Sequence, residues 1–419
     1  MKILLVSEYF PPKIFGGGEI SAYLLAKTLT KKGIDVSVLT SHFDEMERYE
    51  VKDNFKIYRK LKTGKGPHNI KENIKRATIF NDSVKREVKR LDKIENFDVI
   101  HALNTTSILG ISKIKFPKKK KLFATINGYH GLCPKNNLFY MEKEVCSGCN
   151  PNKYIKCISK SKYIGKQIIK SYMKYNPLFL SYLYDNYLKK RQALNKFHIF
   201  SISDFITNFT KKYVKKSTKT YNLFEINDKI IKYLKIEKLI KNKTIISSIG
   251  NLETIKGVDL LLNSYSKIKD KKDSMILIIG DGSTKSYLKK LCEKLNISKK
   301  VHFTGKLDYK FIPYIYKISD IVTIFSKYPE PFSRIMLEAT YFSKPLIGTN
   351  VGGNPEGIID GKNGYLVDFN ENNISKKIET LIENKKLREN MGKESKKIFN
   401  DKFDNNKIIK TIIDAYKLN

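Results

Sequence analysis

The sequence has no apolar run of the roughly 20 consecutive residues that a membrane-spanning helix needs. Its opening residues, MKILLVSEYF, continue directly into a strand-like segment and lack the cleavage pattern of a secretory signal. Only five of its 419 residues are cysteines, which fits a reducing compartment better than a disulfide framework. We therefore expect a cytoplasmic protein, with any membrane attachment peripheral and on the inner face of the cell membrane.

Acidic residues are also scarce, since 42 Asp and Glu stand against 80 Lys and Arg, a formal net charge of +38. This excess favours anionic partners, namely nucleic acid, an anionic membrane surface or phosphorylated substrates. A skewed coding composition rich in Lys, Ile and Asn explains the excess equally well. Because no recognisable nucleic-acid-binding module accompanies the basic residues, nucleic acid is not expected as a partner.

Apolar residues make up 41% of the chain, which is enough for packed cores and argues against disorder. Short apolar runs alternate with helical patterns, which predicts parallel sheets with crossover helices, and the chain length favours two domains. Strands are predicted at 3–7, 36–40, 97–103, 121–126 and 198–203, and then at 244–250, 275–280, 301–304, 320–325, 345–349 and 364–367. The pattern restarts after the Lys-rich stretch 226–243, which we interpret as the linker between an N-terminal domain (1–235) and a C-terminal domain (244–400).

The stretch 153–196 interrupts this alternation in the N-terminal domain. It carries eleven Lys or Arg and one acidic residue, and four lysines recur at every fourth position, the spacing of one helical face: Lys162, Lys166, Lys170 and Lys174. A basic amphipathic helix followed by a Tyr-rich run can lie in the interface of an anionic membrane. An ordinary surface helix packed on its own domain is the equally weighted alternative.

The first motif with chemical meaning is the glycine run Gly16–Gly18, between the opening strand and a predicted helix. Glycine lets a backbone approach a phosphate, and the free amides at a helix N-terminus attract anions. The run matches neither the dinucleotide fingerprint nor a P-loop, because no G-x-G-x-x-G and no G-K-S/T occurs here. Taken alone, it is equally consistent with a plain turn.

A second motif, SIGNLETIKGVDLLL (247–261), carries a lysine near the end of a strand. The strand ends at Gly250, and Lys256-Gly257 open a helix whose apolar face includes Leu261. A lysine beside the carboxyl end of a strand is well placed to neutralise a diphosphate in the crevice of an open α/β sheet. Its position rather than its charge singles out Lys256, since the chain has 80 basic residues.

The most specific motif, YPEPFSRIMLEATYFSKPLIGTNVGGNPEGIIDGKNGYLV (328–367), holds two glutamates eight residues apart. Glu330 precedes a helix predicted to begin near Phe332 and Ser333. Glu338 follows about two turns later, so both carboxylates are expected on one side of that element. Carboxylates accept hydrogen bonds from the vicinal hydroxyls of a ribose or hexose, and helix-terminal amides bind phosphate. The glycine and proline turns that follow favour a binding site over a solvated helix face.

These segments resemble glycosyltransferase family 4 (group 1), a family of retaining nucleotide-sugar enzymes with the GT-B fold, along nearly the whole chain. The resemblance rests on PPKIFGGGE, DVIHALN, SISDF, the Lys256-Gly257 segment, GDG, VHFTGKL and, most specifically, the two-glutamate element. It implies an α/β fold of two Rossmann-like lobes facing each other across a cleft. It also implies that a last helical stretch, about 401–419, returns to the N-terminal lobe.

The resemblance assigns roles to these residues. Glu338 would bind the donor ribose, Glu330 the hydroxyls of the transferred sugar and Lys256 the diphosphate, so Lys256 and Glu330 are the catalytic candidates. Further donor contacts are implied for residues at the helix start, beside the base and in the other lobe: Phe332, Ser333 and Arg334, then Gly305 and Leu307, then Gly16 and Gly17.

The sequence departs from the family pattern at three places. The family usually carries Arg, a second cation on the diphosphate, where this chain has Asn251. Its usual His-Asp pair after the fourth strand is replaced by Asn127-Gly128, which leaves His130, three residues on, as an acceptor-side candidate. In the glutamate element, the family often has a glycine at the position that Ser333 occupies here. Asn251 would still face the donor, with Lys256 supplying the charge.

We expect transfer of a hexose, with retention at the anomeric carbon, from a nucleotide-diphosphate sugar to a glycan or lipid-linked acceptor in envelope or polysaccharide biosynthesis. Lys256 and helix N-termini would stabilise the departing diphosphate. No D-x-D pair occurs in the sequence, so metal-independent catalysis without a required cofactor is predicted. Two alternatives stay open: a nucleotide-sugar epimerase on the same architecture, and a degenerate glycan-binding subunit, which Asn251 and Asn127 favour.

Four cysteines cluster within 25 residues: Cys133, Cys146, Cys149 and Cys157. A C-x-x-C pair with two flanking cysteines can hold a structural zinc ion tetrahedrally. The flanking spacings of twelve and seven are irregular, and free thiols or redox-sensitive pairing are the alternatives. Cys292 is expected to be a lone, buried helix residue, and His101 a core or rim residue of its strand.

Overall fold

The computed structural model describes residues 1–64, 70–117, 120–164, 167–168, 171–226, 230–271 and 273–418. The chain divides into two compact units, an N-terminal unit of Met1–Phe224 with Asn405–Asn419 and a C-terminal unit of Glu225–Asp404. The division lies just upstream of the predicted linker 226–243, whose residues group with the C-terminal unit. In the described ranges, no helix combines the length and the apolar character needed to cross a membrane.

A mainly parallel sheet organises the N-terminal unit. The strands of this unit are β1 (Lys2–Val6), β2 (Asp35–Ser41), β3 (Tyr49–Lys52), β4 (Phe55–Leu61), β5 (Val99–Ala102), β6 (Lys121–Ile126), β7 (Phe139–Tyr140), β8 (Glu144–Val145), β9 (Tyr163–Ile164), β10 (Gln167–Ile168), β11 (His198–Ser201) and β12 (Ser217–Lys219). The sheet has the order β12-β11-β6-β5-β1-β2-β4-β3, while β7–β8 and β9–β10 form separate short hairpins. β3 pairs antiparallel with β4, and the other sheet neighbours pair in parallel.

The helices between these strands cover the apolar side chains of the sheet. They are α1 (Gly17–Lys31), α2 (Ile70–Glu95), α3 (Ile108–Ser112), α4 (Pro151–Lys160), α5 (Ser171–Lys174), α6 (Pro177–Leu194) and α7 (Asp204–Thr210). At the start of α1, the Gly16 amide donates to Glu19 Oε2 (2.8 Å), so an acidic side chain satisfies an amide that the helix leaves free. Leu25 and Leu29 of α1 share a buried core with Ile3 of β1, which seats the glycine run beyond the carboxyl end of that strand.

The basic stretch 153–196 is not one amphipathic helix, and this part of the prediction was wrong. α4 ends at Lys160, the β9–β10 hairpin follows, and α5 and α6 complete the stretch. Ser161 adopts an extended conformation after α4, and Pro177 begins α6 while the Asn176 side chain accepts from the Phe179 amide. These signals start and stop helices, so Lys162, which precedes β9, and Lys174, which ends α5, do not share one helix face. Lys166 and Lys170 lie outside the described residues.

The C-terminal unit contains a parallel sheet of β13 (Thr244–Ile249), β14 (Ser274–Ile279), β15 (Val301–Gly305), β16 (Ile321–Ile324), β17 (Leu346–Thr349) and β18 (Gly364–Val367). Its order is β15-β14-β13-β16-β17-β18, so the direction of winding reverses between β13 and β16. The predicted strands of both halves overlap observed strands. The predicted fold class, two Rossmann-like α/β lobes, is confirmed.

The helices of the C-terminal unit are α8 (Glu237–Ile240), α9 (Val258–Ser266), α10 (Lys285–Lys294), α11 (Ile312–Ile318), α12 (Arg334–Tyr341), α13 (Asn354–Gly357), α14 (Glu371–Glu383) and α15 (Lys385–Lys402). Leu261 of α9 packs with Ile276 of β14 and Ile378 of α14 in the buried core of this unit. Cys292 of α10 is buried in the same core, as predicted.

The last helix, α16 (Asn405–Leu418), belongs to the N-terminal unit. Ile408, Ile409 and Ile412 join the core around α1 and β1. The Tyr416 hydroxyl lies 2.6 Å from His101 Nδ1, and Thr125 Oγ1 lies 2.8 Å from His101 Nε2. His101 is therefore a buried core residue that ties α16 to the middle of the sheet.

Candidate functional site

A cavity opens at the carboxyl ends of β13 and β16, the two strands between which the order of the C-terminal sheet reverses. Ligands of open α/β sheets bind in the crevice at such a point. The lining includes Gly250, Asn251, Lys256, Ser326 and Glu330. Three of the residues predicted to bind a donor, Asn251, Lys256 and Glu330, therefore border one space.

The lysine is held there by the glycine that follows it. Lys256 ends a short 3₁₀ turn, and Gly257 adopts a left-handed conformation (φ 66°) immediately before α9. A Cβ atom at Gly257 would lie only 2.0 Å from the carbonyl oxygen of Phe325, the residue after β16. Only glycine permits this approach, which brings the turn carrying Lys256 against the end of β16.

Lys256 and Glu330 form an ion pair inside the cavity. Lys256 Nζ lies 2.7 Å from Glu330 Oε1, and the Ser326 hydroxyl donates to Glu330 Oε2 at 2.8 Å. The two charged side chains are 18% and 14% exposed, so the pair is partly shielded but reachable from solvent. The ammonium also lies 5.7 Å from the centre of the Tyr328 ring. Burial, followed by the nearby Glu330 charge, raises the pKa of Tyr328 well above its usual value, so the ring carries no competing charge.

The segment before α12 is fixed by the glycine turn after β17. The Gly353 amide donates to the Glu330 carbonyl (2.8 Å), and Gly352 has φ +60°. A Cβ atom at Gly352 would lie 2.2 Å from the Glu330 carbonyl oxygen. The two glycines therefore let one loop pack directly on the backbone of Glu330, which places its carboxylate opposite Lys256.

Glu338 lies on α12 in a separate polar cluster. Its Oε1 accepts from the Tyr309 hydroxyl and from Arg334 Nε, both at 2.9 Å, and its Oε2 accepts from the Tyr316 hydroxyl at 2.9 Å. The carboxylate is 5% exposed. Three donors fix its orientation, and a carboxylate with about four acceptor positions can still accept from a ligand hydroxyl.

Burial and the Glu338 charge keep the tyrosines of this cluster in their neutral, donating form. They raise the pKa of Tyr309 to about 12 and that of Tyr316 well above its usual value. Burial opposes the charge of Arg334, but Glu338 and Tyr309 together outweigh burial and raise the guanidinium pKa. The cluster thus keeps the two phenols neutral and the guanidinium charged at neutral pH.

The remaining predicted donor residues occupy different places in the C-terminal unit. Ser333 caps α12 by accepting from the Met336 amide (3.4 Å), and the Phe332 ring packs edge-on against Phe403 at 5.6 Å. Gly305 ends the edge strand β15 with φ +73°, and Leu307 follows it. Arg334 belongs to the Glu338 cluster, whereas Gly305 is the last residue of β15 and Leu307 lies beyond its end.

The predicted residues of the N-terminal unit lie near the ends of its central strands. Gly16 precedes α1 and Gly17 is its first residue. A Cβ atom at the neighbouring Gly18 would lie 3.3 Å from the Asn127 side-chain nitrogen, so the glycine run abuts the residue that follows β6. His130 Nε2 lies 2.7 Å from Asn136 Nδ2, so this ring nitrogen is already hydrogen-bonded to a neighbouring loop residue.

Sequence reasoning missed the side chains that orient the two glutamates. Tyr309 and Tyr316 hold Glu338, and Ser326 holds Glu330. Tyrosine is abundant here, at 25 residues, and none of these positions belongs to a recognisable motif. Tyr309 and Tyr316 are 29 and 22 residues away from Glu338, so folding of the sheet rather than a local pattern brings them together.

Comparison with known proteins identifies relatives of this chain. The chain is 28% identical to an uncharacterised glycosyltransferase of Methanocaldococcus jannaschii over 98% of its own length and 96% of that protein. It is 32% identical to spore coat protein SA of Bacillus subtilis over 187 residues, which cover 42% of this chain and only 49% of that protein. HepE of Anabaena, whose structure was solved with UDP, is 17% identical and superposes with a TM-score of 0.69 over the full length of both chains.

Two family models account for the two halves of the sequence. Residues 15–206 match Glycosyltransferase Family 4, and residues 229–398 match Glycosyl transferases group 1. The second range contains the cavity, Lys256 and both glutamates. Together the two ranges cover most of the chain, and the fold agrees with that of HepE. The chain therefore belongs to the family 4, group 1 glycosyltransferases and is an enzyme that transfers a sugar from a nucleotide-sugar donor.

Proposed function

We propose that this enzyme transfers a hexose with retention of anomeric configuration, and that the cavity between β13 and β16 binds the donor diphosphate. The observation that carries the proposal is the Lys256–Glu330 ion pair at the reversal point of the sheet. The Lys256 ammonium supplies positive potential where an anion would bind, and the N-terminal amides of α12, which begins four residues after Glu330, add to it. In the absence of donor, Glu330 neutralises this charge.

Donor binding exchanges the partners of this pair. The diphosphate takes the Lys256 ammonium, and the freed Glu330 carboxylate accepts hydrogen bonds from hydroxyls of the sugar. Ser326 keeps one oxygen of Glu330 in place during the exchange, because it donates to Oε2 while Lys256 contacts Oε1. Glu338, oriented by Tyr309, Tyr316 and Arg334, accepts from the ribose hydroxyls of the same donor.

In the reaction, the bond between the anomeric carbon and the diphosphate oxygen breaks while the acceptor hydroxyl bonds to that carbon on the same face. The hydroxyl proton leaves with the diphosphate. Negative charge develops on the departing oxygen, where Lys256 and helix amides stabilise it, so the transfer needs no divalent metal. We expect that neither Mg²⁺ nor Mn²⁺ raises the activity after exhaustive treatment with EDTA, and a loss that either of these ions restores would overturn metal independence.

The fold match to a UDP-bound protein supports UDP-sugars as the first donors to test. Release of nucleoside diphosphate from UDP-, GDP- and ADP-hexoses, measured with and without glycan or lipid-linked acceptors, separates the candidate functions. A transferase releases diphosphate with added acceptor. An epimerase turns over without one, and a degenerate glycan-binding subunit never turns over. Turnover that needs no acceptor, or none with any donor and acceptor pair, contradicts the proposal.

The acceptor side is proposed to work at the inner face of the cell membrane, in envelope or polysaccharide assembly. Tyr172, Tyr175 and Leu178 at α5 and α6 are 63%, 72% and 82% exposed, an unusual exposure for large apolar side chains. They lie in the Lys-rich stretch 153–196, and this combination suits an anionic lipid surface.

Vesicle binding tests the membrane proposal. We expect the protein to sediment with phosphatidylglycerol vesicles at low salt, less so at high salt, and not with neutral phosphatidylcholine vesicles. Replacing Tyr172, Tyr175 and Leu178 together by Ser should abolish sedimentation, whereas Tyr287→Ser, which removes an exposed ring (56%) of the C-terminal unit, should not. Duplex DNA that competes as well as the vesicles do would instead indicate binding to any polyanion.

A further inference from the structure

The four clustered cysteines of the N-terminal unit line one cavity. Cys133 and Cys146 are buried, Cys149 is half-buried and Cys157 is buried, and all four border the same space between the β7–β8 hairpin and α4. Cys292, the fifth cysteine, lies in the other unit. Thiols separated by as many as 24 residues of sequence have thus been brought together in a segment that leads from β6 to α6.

A backbone amide points at one of these sulfurs. The Met141 amide donates to Cys157 Sγ at 3.4 Å. Amide donors around a sulfur are the surroundings in which a thiolate ligand is stabilised.

Two lysines share the cavity with the thiols. Lys135 is 2% exposed, and its ammonium donates to a neutral partner, the Ser161 hydroxyl, at 2.7 Å. Lys153 also borders the cavity, 4.8 Å from the centre of the Tyr140 ring. The described residues that line this cavity include no carboxylate. A buried ammonium is costly unless negative charge lies close by, and four neutral thiols provide none.

We propose that Cys133, Cys146, Cys149 and Cys157 bind one Zn²⁺ ion as a structural tetrathiolate site. Zinc binding releases four thiol protons to solvent and leaves a centre of net charge −2, which the ammoniums of Lys135 and Lys153 offset. This accounts for both lysines. The site lies in the N-terminal unit, and its presence does not depend on the proposed donor site.

Two of the cysteine side chains would turn on binding. Cys146 Sγ donates to the Gly148 carbonyl at 3.1 Å, and Cys149 Sγ donates to the Asn150 carbonyl at 3.7 Å. Consistent with these contacts, no three His, Cys, Asp or Glu side chains of the described chain already stand in a metal-binding arrangement. Rotation of both thiols away from these carbonyls completes the zinc site. The ion then ties the loop after β6, which carries His130, to α4.

Metal content of the full-length protein tests the proposal. The protein, purified under reducing conditions without an affinity metal, should contain about one zinc per chain by elemental analysis. The double variant Cys146→Ser/Cys149→Ser should lose it. Cys292→Ser, a buried cysteine of the other unit, should keep it. Wild-type protein without zinc that also fails to take up added Zn²⁺, iron in place of zinc, or full zinc in the double variant would overturn the proposal.

Cobalt substitution tests the same site in the wild-type protein, so it does not depend on whether the double variant folds. Wild-type protein stripped with chelator and titrated with Co²⁺ alone should develop the sulfur-to-cobalt charge-transfer and tetrahedral visible bands of a tetrathiolate site, saturating near one equivalent. Bound Zn²⁺ should protect four of the five thiols from a thiol reagent. Octahedral cobalt bands, or no protection, contradict the assignment.

Discussion

Lys256 Nζ lies 2.7 Å from Glu330 Oε1, although 74 residues separate the two in sequence. Two glycines make this contact possible, since Gly257 lets the lysine turn approach β16 and Gly352 lets a loop pack on the Glu330 backbone. The pair places a cation and a carboxylate beside one cavity, and each charge compensates the other. A diphosphate that displaces Glu330 from Lys256 gains the cation and frees the carboxylate in the same event.

Lys256→Met should lower kcat by about a hundred- to a thousandfold, the usual cost of one lost transition-state charge contact. The fold should survive, because Ser326 still donates to Glu330 Oε2 and the carboxylate keeps some contact with solvent. Steady-state kinetics and thermal unfolding measure the two effects. Lys327→Met is the matched control, since Lys327 pairs with Asp259 at 2.6 Å nearby but outside the cavity lining. Comparable losses in both variants would argue against a specific role for Lys256.

Glu338→Gln should raise the KM for the nucleotide sugar at least about tenfold. The amide offers one fewer acceptor oxygen to the ribose, and its NH₂ group faces hydroxyl and guanidinium groups that also donate hydrogen bonds. Tyr316→Phe removes only the hydroxyl that holds Glu338 Oε2 and should raise the KM less. If Tyr316 acts through Glu338, the effects of the double variant will fall short of the sum. Fully additive effects on KM would show that the tyrosine acts elsewhere.

Asn251→Arg should strengthen donor binding. Asn251 is exposed, lines the cavity and stands where the family usually has a second cation for the diphosphate. A new charge-assisted contact should lower the donor Kd by about tenfold. Because the contact is ionic, the gain should shrink as salt is raised. Calorimetric titration at two salt concentrations measures it, with Asn251→Gln as the uncharged control. An unchanged Kd for the arginine variant would place the diphosphate away from residue 251.

Much of the cavity could be predicted because its residues lie in short motifs at strand ends. Lys256 and Glu330 each follow a strand whose position was evident from an apolar run. The partners of Glu338 were not accessible in this way, because Tyr309 and Tyr316 belong to other elements and only the folded sheet brings them to α12.

Two features of the N-terminal unit show where pattern and packing disagree. The β3–β4 hairpin was not predicted, although Asp53 and Asn54 form its turn with φ of 48° and 63°. A buried arginine in β4 obscured the apolar alternation: Arg59 is 2% exposed and pairs with Glu50 at 2.7 Å. Conversely, the regular lysine spacing in 153–196 suggested one helix, and the signals at Ser161 and Pro177 overrode it.

The protein should lose stability in acid through His101. Burial, followed by the charge of His198, lowers the pKa of His101 to about 3 from an ordinary value of 6.5. Between these values the unfolded chain binds a proton that the folded chain does not, so the free energy of unfolding rises with pH by up to about 1.4 kcal/mol per unit. The contribution is complete above pH 6.5 and is lost as pH falls towards 3.

Urea unfolding measures this contribution at about pH 5 and about pH 7.5, in the wild type and in His101→Gln. The variant is expected to be less stable at both pH values, because Tyr416 and Thr125 lose their ring partner. Its stability should nevertheless depend less on pH. An equal pH dependence in the two proteins would show that other groups cause the acid sensitivity.

Binding of activated sugars tests the central claim most directly. The melting temperature of the wild-type protein is followed during titration with UDP-, GDP- and ADP-hexoses, in parallel with Lys256→Met. We predict that one donor class stabilises the wild type, by about 2.7 kcal/mol at a hundredfold excess over Kd, and that the variant needs a far higher concentration for the same effect. If no activated sugar raises the wild-type melting temperature, or if the variant responds equally, Lys256 does not bind a donor diphosphate in the cavity between β13 and β16.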